Sequence, residues 1–298
     1  MSGAVERETR SGPPQSSALD AVPAMTTAEL RGFARDIREQ SLLMISRARA
    51  SHVGSVFSCA DILAVLYGAV LRVEPGQPTW PNRDRFVMSK GHACAGLYAA
   101  LALREFFPMQ RLEGFCVDGG SLLGHATHRG VPGMEVSTGS LGHGLALAVG
   151  LSAGAKRLRA PWRTYALLSD GECDEGSTWE AALLAPALKL DGLTVIVDYN
   201  KIQSLGRVEE VIDLEPFSDK WRSFGWQVRE VDGHDVDALS EVLDPRPWVP
   251  EEDRPRCVIA HTVKGKGVSF MEDDLLWHYR CPQGDELEQA LTEVREQL

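Results

Sequence analysis

The segment Ser169-Asp170-Gly171-Glu172-Cys173-Asp174-Glu175-Gly176 follows an apolar strand-like run over 165–168 and leads into a helical pattern. Thirty residues after Asp170, a second strand-like run ends at Asp198-Tyr199-Asn200-Lys201-Ile202. In a parallel sheet the carboxyl ends of neighbouring strands lie together, and ligands bind in the crevice outside them. The spacing therefore predicts that Asp170 and Asn200 converge. A carboxylate, an amide oxygen and the Ile202 carbonyl suit Mg²⁺, a hard octahedral cation that keeps places for phosphate oxygens or water. Gly171 lets the backbone approach a phosphate closely, and the following helix N-terminus adds favourable dipole charge. The predicted chemistry is a diphosphate held through a metal. An Asp-Gly pair after a strand is, taken alone, more often a turn; the interval to Asn200 gives it its meaning.

The elements that must place these residues are strands alternating with helices. The first helix starts near Thr26, where Thr26 and Glu29 have capping-box spacing and Leu30, Phe33, Ile37 and Met44 recur at helical intervals. A break at Ser51-His52-Val53-Gly54 precedes a second helix from about Ser58, where Ser58 and Asp61 repeat the capping spacing. A short strand over 85–89 enters the turn Lys90-Gly91-His92, and further strands follow at 164–168, 193–198, 226–231 and 257–262. This alternation predicts an α/β fold: a doubly wound, mostly parallel sheet with helices on both faces. The Gly-rich stretch 119–144 is longer than an ordinary connection and is the natural binding loop. Residues 1–25 are expected to be a disordered tail and 26–298 a single domain.

Composition narrows the class. With 44% hydrophobic and 24% charged residues among 298, the chain has the composition of a folded protein. A formal net charge of -11 disfavours nucleic acid or an anionic membrane as a general partner, so any phosphate must be held locally. The cysteines at 59, 94, 116, 173, 257 and 281 form no C-x-x-C pair, which fits reduced thiols in a cytoplasmic protein. No run approaches the roughly 20 apolar residues of a membrane span, and the N-terminus lacks the apolar core of a signal peptide. Gly142-His143-Gly144 lacks the preceding strand and third glycine of a dinucleotide fingerprint, and Lys264-Gly265-Lys266-Gly267 lacks Walker spacing. The two lysines are equally readable as solvated charges or as substrate contacts. For a single histidine a structural role is the ordinary reading, and His128, His143 and His234 keep it.

The step from Asp170 to Asn200 resembles the signature of thiamine-diphosphate enzymes, with Ser169 standing where that pattern has its first glycine. The resemblance narrows to the N-terminal half of transketolases through residues 82–92, Gly124-His125, 137–144, Asp232-Gly233-His234-Asp235 and 261–267, which together cover nearly everything after the tail. It implies that His92 contacts the diphosphate of thiamine diphosphate beside Gly171, and that Asp170, Asn200 and Ile202 hold Mg²⁺. It implies that Gly139 and Leu141 lie near the aminopyrimidine through their backbones, and that His52, His125 and His278 surround the thiazolium and substrate as catalytic residues. Glu175, grouped with the cofactor-binding residues, matches an acidic residue close to a subunit interface.

The implied reaction moves a two-carbon ketol unit from a ketose to an aldehyde. The implied partner is a separately encoded C-terminal transketolase subunit, whose pyrimidine-binding domain supplies the glutamate that activates the cofactor, in an α₂β₂ assembly. Three alternatives share parts of the pattern: the alpha subunit of a 2-oxoacid dehydrogenase, an acyloin or ketol transferase of secondary metabolism, and a non-catalytic scaffold. The Ser-Lys-Gly-His and Ser-Thr-Gly-Ser-Leu-Gly segments favour transketolase over the first. Intact Asp170, Asn200 and His92 argue against the last.

Overall fold

The strand segments Thr-Tyr-Ala-Leu-Leu-Ser and Leu-Thr-Val-Ile-Val-Asp-Tyr are apolar along most of their length and buried at every position, as strands covered on both faces must be. The structure is a computed structural model that describes residues 24–249 and 253–297. The expected disordered tail falls, through residue 23, outside the described residues. The strands are β1 (Arg85–Met88), β2 (Thr164–Ser169), β3 (Leu193–Tyr199), β4 (Gln227–Asp232) and β5 (Arg256–His261). They form one sheet in the order β1-β2-β3-β5-β4, and every pairing is parallel.

Alternate residues along each strand feed two separate cores. Phe86, Met88, Tyr165, Leu167, Ile196 and Val258 face one side. Helices α1 (Thr27–Ala48), α2 (Val53–Val65), α3 (Cys94–Leu103), α8 (Val236–Leu243) and α9 (Asp285–Arg295) supply most of the rest of that core, joined by segments that carry Phe106, Phe115, Val268 and Trp277. Val87, Ala166, Leu168, Val195, Val197 and Ile259 face the other side, against α4 (Gly144–Leu158), α5 (Gly176–Ala187) and α7 (Phe217–Ser223). A one-turn helix α6 (Val208–Val211) follows β3. The sheet is thus wound on both faces, as the alternation of elements requires.

Helix α1 starts with the expected capping box: Thr26 accepts from the Glu29 N–H, and the Glu29 carboxylate accepts from the Thr26 N–H. The second helix departs from expectation. It begins at Val53, five residues before Ser58, because His52 turns the chain at φ 78 and its carbonyl accepts from the N–H groups of Ser55 and Val56. Ser58 and Asp61 are therefore interior, and their side chains bind across the fold instead of capping: Ser58 to Asp198, Asp61 to Arg38 and His234.

The apolar stretch Val53–Val70, α2 with the π-helical turn that extends it, is long and apolar enough to cross a membrane by length and composition. Within the fold 94% of it is buried, packed against α1, α3 and α8, so it serves as the central helix of one core.

Candidate active site

Strand register brings the site together. Ser169 pairs with Asp198 and Tyr199 with His261, so β2, β3 and β5 end at one edge and the segments after them enclose a cleft of about 220 Å³. Asp170 and Gly171 enter it after β2, Asn200 and Ile202 after β3, and His92 after β1. The long loop contributes His125, Gly139 and Leu141; the turn before α2 contributes His52, and the segment after β5 contributes His278. Of the sequence-predicted site residues, Glu175 alone stays outside. It is exposed at the N-cap of α5, beside Gly142, and does not line the cleft. His128, His143 and His234 do not line it either.

The oxygen atoms expected to converge do so, each already oriented by a neighbour. The Asp170 carboxylate accepts from the N–H groups of Gly171 at 2.7 Å and Lys201 at 2.6 Å. Burial, together with the nearby Asp198 charge, pushes its pKa up to about 6. Asn200 donates its amide N–H groups to Asp198 and Ser58, which leaves its Oδ1 as the acceptor, taking the Ile202 N–H at 3.1 Å. The Ile202 carbonyl accepts from Lys264 Nζ at 2.7 Å. Each of these oxygens keeps a lone pair free. A hard cation carrying phosphate oxygens fits this donor set.

Beneath the cleft lies a fully buried carboxylate, Asp198. It is paired with Lys90 and also accepts from Ser58 and Thr262. Burial opposes both charges, but the pairing prevails: Lys90 is held above the ordinary lysine pKa and Asp198 below the ordinary carboxylate value. Breaking such a pair by removing one partner costs about 3–5 kcal/mol. Asp198 thereby fixes which way the Asn200 amide faces.

The histidines form a wall. The His52 ring lies 5.1 Å from His92, 5.9 Å from His125 and 5.0 Å from His278. Burial, then neighbouring positive charge, lowers the pKa of His52 to about 4 and of His278 to about 3, and places His92 well below 6.5. These three rings, His52, His92 and His278, are neutral at neutral pH. Lys264 Nζ donates to His278 Nδ1 at 2.9 Å, which leaves the other ring nitrogen free to donate. His52 Nδ1 is buried without a partner among the described residues, an atom that calls for a ligand or water.

Several contributors escape a reading of the sequence. Lys264, readable there equally as a solvated charge or a substrate contact, is 1% exposed and points into the cleft, where burial lowers its pKa to about 8. Lys266 instead pairs with Glu272 at the surface. Lys90, Ser55, Gln203 and Ser204 also line the cleft. A lysine so soon after the apolar run 86–88 is the available signal for Lys90, since a charge at a buried strand end needs a partner.

Glu172, fully buried, accepts from the Ser89 hydroxyl and from the Gly142 N–H at 2.9 Å, and so ties the segments after β1 and β2 to the long loop. The Ser169 hydroxyl accepts from the Glu172 N–H at 3.2 Å, which gives the residue replacing the usual first glycine a structural task.

A cleft at the carboxyl edge of an all-parallel sheet, with oxygen donors after β2 and β3 and a glycine-bearing loop opposite, defines a diphosphate-binding α/β domain. Residues 31–293 match the family model described as transketolase, thiamine diphosphate binding domain. The chain is 40% identical over 261 residues to one subunit of the apulose-4-phosphate transketolase of Phocaeicola vulgatus, covering 88% of this chain and 92% of that protein. It is 40% identical over 250 residues to the 6-deoxy-6-sulfo-D-fructose transketolase subunit SqwG of a Clostridium species, covering 84% and 90%. The transketolase structure from Campylobacter jejuni superposes with a TM-score of 0.83 at 31% identity. That match takes in 91% of this chain but only 43% of the Campylobacter enzyme. The chain belongs to the transketolase family, as a thiamine-diphosphate-binding N-terminal subunit.

Proposed function

We propose that this chain is the diphosphate- and metal-binding half of a two-component transketolase, moving a two-carbon ketol unit from a ketose donor to an aldehyde acceptor. The observation that carries the reading is the convergence of Asp170, Asn200 and Ile202 oxygens opposite the histidine wall. In this reading Asp170, Asn200 and the Ile202 carbonyl hold Mg²⁺, while His92 and the Gly171 backbone meet the diphosphate. Gly139 and Leu141 border the aminopyrimidine. Thiamine diphosphate supplies the electron sink for breaking and forming the carbon–carbon bond. His52, His125 and His278 face the reacting groups, and imidazoles there can give or take a proton at substrate hydroxyls. The chain acts in the cytoplasm as one domain over 26–298.

The rest of the active site comes from a separately encoded protein carrying the pyrimidine-binding domain, in an α₂β₂ assembly. Relatives whose names describe them as single subunits of a transketolase support the separate partner subunit. So does the outer side of α4 and α5, which lie side by side and expose Leu147, Leu158, Leu183, Leu184 and Leu188. Between those leucines Gly150 and Gly154 leave open space, so a partner can approach the α4 backbone. In this reading Glu175, exposed at the N-cap of α5, belongs to that interface.

The test is reconstitution. The purified chain with saturating thiamine diphosphate and Mg²⁺ should show no ketol transfer. Supplying the cognate subunit should restore it and yield a larger particle by light scattering. Activity from the single chain, free of any copurifying partner, would refute the split-enzyme reading.

A further inference from the structure

Two loops meet over the end of the cleft lined by Asn200 and Ile202. The first, after β3, is a tight hairpin: Ile202 and Arg207 bridge antiparallel, and the Gln203 N–H donates to the Gly206 carbonyl at 2.8 Å. The second runs from Lys264, after β5, to Tyr279. They are joined at three points. One is buried, the Lys264 bond to the Ile202 carbonyl. The other two are at the surface: the Tyr279 hydroxyl donates to the Ser204 carbonyl at 2.8 Å, and the Arg207 guanidinium pairs with Asp273 at 2.8 and 3.2 Å.

Tyr279 is 56% exposed, so its hydroxyl has water as a ready alternative partner. Its bond nevertheless goes to the backbone of Ser204, a residue that lines the cleft, and its ring lies 4.9 Å from that of His278. One side chain thus touches a histidine of the wall and bolts down the loop that carries the Ile202 carbonyl. Exposed hydrogen bonds and ion pairs are individually weak and exchange readily with water. Two of them in series close a loop without making the closure permanent.

The geometry points to Tyr279 as a positioning residue which, with the Arg207–Asp273 pair, latches the β3 hairpin over the bound diphosphate and sets how fast the cofactor leaves. Tyr279 does no chemistry itself; it acts by keeping the hairpin down. This rests on the cofactor placement proposed above. The buried Lys264 bond orients the carbonyl, while the two surface bonds determine how often the hairpin lifts.

The experiment loads the complex of this chain and its cognate subunit with radiolabelled thiamine diphosphate and Mg²⁺, then chases with unlabelled cofactor. Tyr279→Phe, which keeps the ring and removes the bond, should speed release roughly five-fold, the worth of one modest hydrogen bond. Asp273→Asn should speed it by a smaller factor, and Asp273→Glu, which restores the charge, should return it toward the wild-type rate. The melting temperature of the unloaded chain should fall by no more than about 3 °C, the worth of that single bond, which separates a latch from a general loss of structure. Normal loading with unchanged release in both Tyr279→Phe and Asp273→Asn overturns the latch alone. Failure of the wild-type complex to bind thiamine diphosphate overturns the cofactor placement and the latch with it.

Discussion

At the carboxyl edge of the sheet the chain buries charge, and along the outer side of α4 and α5 it exposes leucine. Both invert the ordinary sorting of side chains. In the first region Lys90, Asp198, Asp170 and Lys264 are all 2% exposed or less, and each is held by named partners. In the second, Leu183 and Leu158 are 60% and 71% exposed, uncovered by any described residue. Buried charge is costly and is kept where a ligand uses it; exposed apolar area marks a surface that another molecule covers. Completing burial of five half-exposed leucines would contribute on the order of 5 kcal/mol. In the function proposed above, the first region is the side that meets the ligand and the second the side that meets the partner.

The largest effect should come from the charged side. Asp170→Ala removes the anionic member of the donor set without opening a large core cavity, so calorimetric titration of the assembled enzyme should show Mg²⁺-dependent cofactor affinity falling by roughly 1,000-fold. Retained affinity would mean the buried charges are structural only. Next, His125→Ala should cut turnover by roughly 100-fold and leave cofactor affinity nearly intact, with His92→Ala showing the opposite balance. If steady-state kinetics and titration give the same split for both, the histidine wall is not divided between substrate and diphosphate.

On the apolar side, the pair Leu183→Asp and Leu184→Asp should weaken association with the cognate subunit by roughly 10-fold while leaving the chain's own melting temperature in place. Sedimentation that shows a wild-type complex would return those leucines to ordinary surface residues.

The smallest effect is on acid stability. His52, His92 and His278 are neutral in the fold and protonated in the unfolded chain between about pH 4 and 6.5, so stability they contribute above pH 6.5 is lost as pH falls through that window. Asp170, whose folded pKa is raised to about 6, acts in the opposite sense and blunts the loss. Thermal unfolding should drop by roughly 3 °C per kcal/mol lost, and His52→Gln should flatten the slope.

The two regions also differ in how much of them the sequence discloses. Asp170, Asn200 and Ile202 are legible because strand ends in a parallel sheet must converge, and the interval between them matches one helix and one strand. Each strand lies within a residue or two of its expected place, and in β2 and β3 the continuous apolar runs leave little choice. Lys264 is half legible, since a lysine beside glycines reads equally as a solvated charge or a substrate contact until the segment after β5 is seen folding back over the cleft. The start of α2 is misplaced because Ser58 and Asp61 imitate a cap locally while their partners lie on β3, α1 and the loop before α8. The exposed leucines of α4 and α5 look in sequence like any amphipathic face, and only their position on the finished fold shows that no described residue covers them.

His52 sits at φ 78, in a left-handed conformation that costs a side-chain-bearing residue on the order of 1 kcal/mol or more and glycine almost nothing. The turn that aims its ring at His92, His125 and His278 is the same turn that starts α2. A search for thermostable variants would therefore favour glycine at this position and, in accepting it, erase the ring. Under the role proposed for His52, selection for stability and selection for activity act on it in opposite directions, so a stabilised version of this chain needs position 52 held fixed while the rest of the fold is improved.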